Sequence, residues 1–214
     1  IYKTKIDGAD MTWKPVTGCL HNCEYCYARK IANRFGGHMS HDYKENNKKI
    51  HELGEALVFY NPEARKAPYP FAFEPTFHKY KLNEPARKTK GRNIFVCSMA
   101  DLFGDWVPDE WITEVFKACE KAPQHNYLFL TKNEGYEKAI NNYAVEDRGS
   151  EDCYEFFKNF WFGITITGQS DNYKSDTLQD LPEGHRFLSI EPIHEEIELN
   201  LNRDRCPVCG SYEI

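Results

Sequence analysis

No stretch of the 214-residue chain approaches the roughly 20 consecutive apolar residues that a membrane-spanning helix needs, so a transmembrane protein is excluded. The first residues, Ile1 to Asp10, alternate charged and apolar side chains and lack the apolar run and small-residue cleavage site of a secretory leader. A cytoplasmic location is therefore expected. The chain opens on Ile1 rather than Met, and its true start is expected upstream. There is no internal repeat and no low-complexity tract, which sets aside repeat arrays and unstructured tails. A surplus of positive charge is missing too. With 27 Lys+Arg against 33 Asp+Glu the formal net charge is -6, which argues against a protein that coats nucleic acid.

What is present describes a globular chain, 41% hydrophobic and 28% charged, of a length that suits one compact domain with an excursion. The charge is lopsided. Residues 1–100 hold 17 Lys+Arg against 10 Asp+Glu, a balance of +7, and residues 101–214 hold 10 against 23, a balance of -13. The first half is where an anionic substrate would be sought, although solvated faces alone also produce such asymmetry. Eight cysteines without a secretory leader read as metal or redox chemistry before disulfides. Cys19, Cys23 and Cys26 form C-x3-C-x2-C, Cys206 and Cys209 form C-x2-C, and Cys97, Cys119 and Cys153 stand alone.

Strand-like runs alternate with helical ones. Asn93 to Cys97 precedes Pro108 and apolar residues Trp111, Ile112, Val115, Phe116 and Cys119 at helical spacing. Tyr127 to Leu130 precedes a helical stretch from Gly135 to Tyr143, and further strands are expected at Trp161 to Ile166 and Arg186 to Ile190. Parallel βαβ units follow. These strands end in polar residues, Ser98 and Asp101, Thr131 and Lys132, Thr165 and Thr167, Ser189 and Glu191, which would share one rim where parallel α/β folds gather ligands. For any one of them a capping or turn role is the competing reading. Two stretches look inserted. Residues 59–92 mix prolines with aromatics and end in Lys79, Lys81, Arg87, Lys88, Lys90 and Arg92; few regular elements are expected there, and the stretch could stack bases or simply pack a loop on the core. Residues 145–153 read as an acidic surface loop.

The segment from Trp13 to Arg29 carries the chemistry. Three thiols fall within eight residues, after a Pro and Gly turn and before a helix expected from Cys26 to Phe35, so one tight loop can wrap all three sulfurs around a small inorganic centre. Iron–sulfur clusters take thiolate ligands, and a cubane 4Fe-4S core given three leaves one iron open to a small molecule. Zinc is the alternative, with His21, His38 or His41 as a fourth ligand.

The C-x3-C-x2-C spacing, with Tyr25 just before the last cysteine, resembles the motif of the radical S-adenosylmethionine (SAM) superfamily. More narrowly, Trp13 to Cys19, Val96 to Phe103, Leu128 to Lys132 and Arg186 to Pro192 together resemble an uncharacterised, often phage-associated branch of it, over about Thr12 to Pro192. The resemblance implies a partial (β/α) barrel of parallel strands: one before the cysteine loop, four near residues 94, 127, 162 and 186, and a sixth from Ile197 to Leu201. It implies that Cys19, Cys23 and Cys26 hold a 4Fe-4S cluster, that SAM chelates the open iron, and that an electron donor reduces the cluster so that a 5′-deoxyadenosyl radical abstracts hydrogen from substrate. Tyr25 would lie near the adenine. Ser98, Met99, Ala100 and Asp101 occupy the place of a Gly-rich acidic motif that meets the methionine amino group, and Thr131, Lys132, Ser189 and Glu191 are candidates for ribose, methionine carboxylate or substrate.

Residues 1–204 are thus read as the barrel, and 205–214 as a knuckle in which Cys206 and Cys209 aim two sulfurs at one ion, with zinc favoured. Further ligands are expected beyond Ile214 or from Cys97, Cys119 or Cys153; otherwise the pair is an unmetallated turn, and the barrel too would be shortened at its C-terminus. The lone cysteines also read as buried small hydrophobes. Two other functions compete with the enzyme acting on an anionic, nucleic-acid-derived substrate: a zinc-stabilised nucleic-acid-binding module, and an iron–sulfur electron carrier.

Overall fold

Three short apolar runs, at residues 93–96, 126–131 and 160–165, become buried strands of one sheet, and each is followed along the chain by a helix. The computed structural model describes residues 1–36, 50–58, 67–147, 156–181 and 184–199. The main sheet has six strands in the order β1-β2-β6-β7-β8-β9: β1 (Tyr2–Lys3), β2 (Met11–Trp13), β6 (Asn93–Val96), β7 (Asn126–Thr131), β8 (Phe160–Thr165) and β9 (His185–Ser189). Only the β1–β2 pair is antiparallel, so the five expected parallel strands are all present. The register sets Thr131 beside Ile164 and Thr165 beside Ser189, which lines up the carboxyl ends of β7, β8 and β9. Residues 197–199 form no strand, although Ile197 and Leu199 pack on the core.

Helices α1 (Tyr27–Phe35), α2 (Asp109–Glu120), α3 (Tyr136–Asp147) and α4 (Tyr173–Gln179) follow β3 (Val16–Thr17), β6, β7 and β8. Helix α2 starts directly after Pro108, carries Asp109 and Glu110 in its first turn, and buries Trp111, Ile112, Val115, Phe116, Ala118 and Cys119. Phe116 meets Phe103, Phe129 and Phe160 at 5.4–6.3 Å between ring centres, mostly edge to face, which gives the core fixed aromatic geometry. Gly163 has a specific reason: a Cβ there would lie 2.2 Å from the Phe187 ring of β9, and the Tyr136 hydroxyl donates to its carbonyl at 2.7 Å. No helix among the described residues is long and apolar enough to cross a membrane.

The proline-rich stretch is more ordered than its composition implies. Phe77 is fully buried in β5 (Thr76–His78), which pairs with β3 (Val16–Thr17) and with β4 (His51–Leu53) in a second, three-stranded sheet. Two 3-10 turns follow, Lys79–Lys81 and Pro85–Arg87. Alternation around Phe77 forms a strand because both neighbours in the sheet come from distant segments that composition does not reveal. Residues 59–66 of this stretch lie outside the described residues, as do 148–153 of the acidic loop and the 205–214 knuckle with Cys206 and Cys209.

Below the cysteine loop, His78 is hydrogen-bonded through Nε2 to Thr17 Oγ1 (2.8 Å) and through Nδ1 to the Tyr80 hydroxyl (3.2 Å). Burial, and then the nearby Lys81 charge, push its pKa down to about 3. Below about pH 6.5 the unfolded chain takes up a proton that the folded chain refuses until about pH 3, so stability falls with pH across that window. His78→Gln keeps a donor and an acceptor but does not titrate. Urea unfolding at stepped pH should show a slope shallower by about one proton between pH 6.5 and 3 in that variant.

Candidate active site

The cysteine loop leaves β3 through Gly18, whose φ of +86° and whose approach to Glu74 (a Cβ would lie 2.2 Å from its carbonyl oxygen) leave room only for glycine. Its N–H donates to the Met99 carbonyl (2.9 Å) and the Cys19 N–H to the Phe73 carbonyl (3.1 Å), tying the loop to the segment after β6 and to the segment before β5. Cys19, Cys23 and Cys26 are all free and half-buried. Cys26 is the N-cap of α1, and its Sγ accepts the Arg29 N–H at 3.3 Å. Cys19 is perturbed by its surroundings. Burial pushes its thiol up to about 12, against the His21 N–H that donates to its sulfur, and Asp101, Cys23 and Cys26 add repulsion. Three half-buried thiols that repel one another as thiolates are a donor set that a cationic metal core would neutralise, so the residues fit an iron–sulfur centre. Among the described residues no three His, Cys, Asp or Glu side chains converge closely enough to hold a single metal ion. His21, the fourth-ligand candidate inside the loop, is instead hydrogen-bonded through Nε2 to Asp101.

Asp101 is the hub of the site. It is 5% exposed, and its carboxylate meets four partners. Oδ1 accepts the Thr131 hydroxyl (2.6 Å) and the Phe103 N–H (3.1 Å); Oδ2 accepts the Lys132 N–H (3.0 Å) and faces His21 Nε2 (2.8 Å). The His21 ring also packs edge-on against Trp106 at 4.9 Å. A second tether runs from Lys132 Nζ to the Tyr25 hydroxyl (2.8 Å), with the ammonium 5.1 Å from the ring centre. His21 lies between the first two cysteines and Tyr25 between the last two, so both spacers of the motif are fastened to the ends of β6 and β7.

A cleft of about 550 Å³ opens on this rim. Cys23, His21 and Tyr25 line it from the loop, Lys132 and Asn133 from the end of β7, and Thr165 and Thr167 from the end of β8. Beyond β8, the Asp171 carboxylate accepts the Thr167 N–H (3.0 Å), the Thr167 hydroxyl (2.8 Å) and Lys174 Nζ (2.6 Å). Partial burial opposes its ionisation, but Lys174 and the Thr167 donors outweigh that and hold the carboxyl near 2.

The structure thus brings together Cys19, Cys23, Cys26, Tyr25, Asp101, Thr131 and Lys132. Ser98 sits behind them, its Oγ 2.7 Å from Thr12 Oγ1, and Met99 is buried against Ala28, Ala32, Tyr69 and Phe73 with Cys19 and Cys26 beside it. Ser189 is half-buried and Glu191 exposed, and neither lines the cleft. The basic run sits elsewhere. Arg92 and Lys88 offer their carbonyls to Asn126 and Gln124 at the amino end of β7, opposite the cleft rim, while burial draws Lys81 down to about 8. Sequence reasoning missed Trp106, Asn133, Asp171, Tyr173 and Lys174. Asn133 directly follows an expected strand end; the others lie in loops and a short helix without a motif. Cys97 and Cys119 are buried, free thiols within the core.

The fold and this rim define the chain as an α/β protein with a radical SAM-like partial barrel. Among solved structures, a mutant of spore photoproduct lyase shares it with a TM-score of 0.52 at 12% identity, over 92% of this chain and 50% of that one. Spore photoproduct lyase complexed with dinucleoside spore photoproduct gives a TM-score of 0.54 at 10% identity, over 92% and 49%. The chain spans about half the length of these structures, and at such identity the likeness is one of fold. No protein of curated function matches the chain. It belongs to the family described as Protein of unknown function (DUF5131), whose sequence profile matches residues 3–211.

Proposed function

We propose that this protein is a radical SAM enzyme acting on an anionic, nucleic-acid-derived substrate. The observation that carries the reading is the mounting of three free thiols of one C-x3-C-x2-C loop on the carboxyl rim of a partial barrel, with Cys23 lining a 550 Å³ cleft. A 4Fe-4S cluster held by Cys19, Cys23 and Cys26, together with SAM, would supply one-electron reduction and hydrogen abstraction. The chain's own residues position and shield. Met99, Phe73 and Tyr69 form an apolar backing behind Cys19 and Cys26 that keeps water from that side. Tyr25 offers a ring for a planar base, and Lys132, whose side chain meets only the neutral Tyr25 among the described residues, offers a cation for a carboxylate or phosphate. Thr165 presents a hydroxyl in the same cleft for ribose. The nucleic-acid-derived substrate is supported by the +7 balance of residues 1–100 and by the dinucleoside bound in the structure of similar fold. An external electron donor completes the requirement, and zinc at Cys206 and Cys209 belongs to the same proposal.

Anaerobic reconstitution with iron and sulfide tests it. The protein should turn brown, bleach with dithionite, and convert SAM to 5′-deoxyadenosine. Colourless protein that keeps stoichiometric zinc at the Cys19 loop and is unchanged by iron and sulfide would overturn it.

A further inference from the structure

Helix α1 runs directly out of the cysteine loop, two residues beyond the cleft-lining Tyr25. It is anchored by Ala28 and Ala32, which pack under Tyr69, Phe73 and Met99. The positions beside that anchor carry large apolar groups facing solvent: Tyr27 is 59% exposed, Ile31 37% and Phe35 51%. At four-residue spacing they form one stripe about 12 Å long. An exposed stripe of this kind on a short helix is unusual for a solvated face, which normally carries polar groups.

The charges along it are of one sign. The helix sequence YARKIANRF holds Arg29, Lys30 and Arg34 and no carboxylate. Arg29 is committed to the Phe73 ring and to Asn22. Lys30 and Arg34 are exposed and make no ion pair among the described residues, and the Arg34 guanidinium lies 5.2 Å from the Phe35 ring centre. Aromatic rings flanked by unpaired cations, with no acid between them, form a platform on which bases stack while phosphates are neutralised. An acidic protein partner would satisfy the cations but would leave the rings without planar partners.

We infer that the exposed face of α1 docks single-stranded nucleic acid and leads it toward the cleft beside Cys23. This rests on the proposed enzyme and names the substrate class its cleft receives. The basic run at Lys88, Lys90 and Arg92 is then not the docking site, since it lies at the other end of the strands. A single strand is required because only unpaired bases present free faces to Tyr27 and Phe35.

The test uses the full, cluster-loaded chain and fluorescence anisotropy of labelled oligothymidylate, oligouridylate and a duplex, across a salt series. Lys30→Glu with Arg34→Glu should weaken single-strand binding by about tenfold or more at 0.1 M salt, and should reduce the slope of log K against log salt by about 1.4, at about 0.7 per phosphate. Phe35→Ala should weaken it by about five- to a hundredfold with the slope unchanged. The two homopolymers then separate a DNA from an RNA substrate. Equal binding by the variants, duplex binding as tight as single-strand binding, absence of binding, or a charge reversal that only dissolves a dimer would each overturn the inference. Brown colour and substrate-free SAM cleavage are measured on the same samples. Their presence without binding sinks the docking face alone; their absence sinks the enzyme reading whatever the oligonucleotides do.

Discussion

Cys23→Ser protein, reconstituted anaerobically, is expected to lose its visible iron–sulfur absorbance and to form 5′-deoxyadenosine at least about a thousandfold more slowly, about 4 kcal/mol in barrier terms. A serine hydroxyl is a poor donor to iron, and Cys23 is the loop sulfur that faces the cleft. Its fold should survive, because Cys23 is only half-buried on a loop and is absent from the core. Cys97→Ser supplies the contrast: it places a hydroxyl in an apolar core, costs about 1–3 kcal/mol of stability, and leaves iron content unchanged. Iron analysis and urea unfolding on the same preparations separate the two. Retention of iron by the Cys23 variant and its loss from the Cys97 variant would place the metal elsewhere.

The second large effect is at Asp101. Asp101→Ala removes one acceptor from two backbone N–H groups, a buried hydroxyl and His21 at once. Each orphaned buried donor costs about 1–3 kcal/mol and water can repay part, so a net loss of about 3–5 kcal/mol is expected. Asp101→Asn keeps the shape but not four acceptor positions, and should fall between wild type and alanine. The loss should be regional as well as global. With His21 released, the Cys19 to Cys23 half of the loop loses its tether, so iron occupancy should drop at temperatures where circular dichroism still reports a folded barrel. His21→Ala, which leaves the strand-end contacts of Asp101 in place, should lower iron occupancy with a smaller stability cost. An Asp101→Ala protein that melts with the wild type and loads iron fully would show that the hub is dispensable.

Much of the scaffold was legible because it rests on local chemistry. Buried parallel strands such as Tyr127 to Leu130 announce themselves as continuous apolar runs, and α2 by Pro108 and the spacing of Trp111, Val115 and Phe116. The cysteine trio was legible for the same reason, since its ligand spacing is contained in one segment. Two things were not. The strand at Thr76–His78 depends on partners 25 to 61 residues away, and its flanking prolines read locally as a loop. The tethers His21 to Asp101 and Tyr25 to Lys132 join residues 80 and 107 positions apart, and no periodicity encodes a side-chain hydrogen bond. Met99 stands where the resemblance implies a motif that meets a ligand, and the left-handed turn at Cys97 (φ +57°) precedes a methionine buried among α1 and its neighbours.

The segregation of sulfhydryls has a practical corollary. Cys97 and Cys119 are sealed among aromatic side chains, and burial raises both thiols far above the range in which they ionise at neutral pH. An alkylating reagent followed by peptide mapping would therefore run two clocks in one molecule: the half-exposed Cys23 and Cys26 would label whenever the proposed cluster dissociates, and the interior pair only when the whole barrel opens. Loss of the proposed cluster and denaturation, which ordinary spectroscopy blurs into a single loss of signal, would become separately timed events.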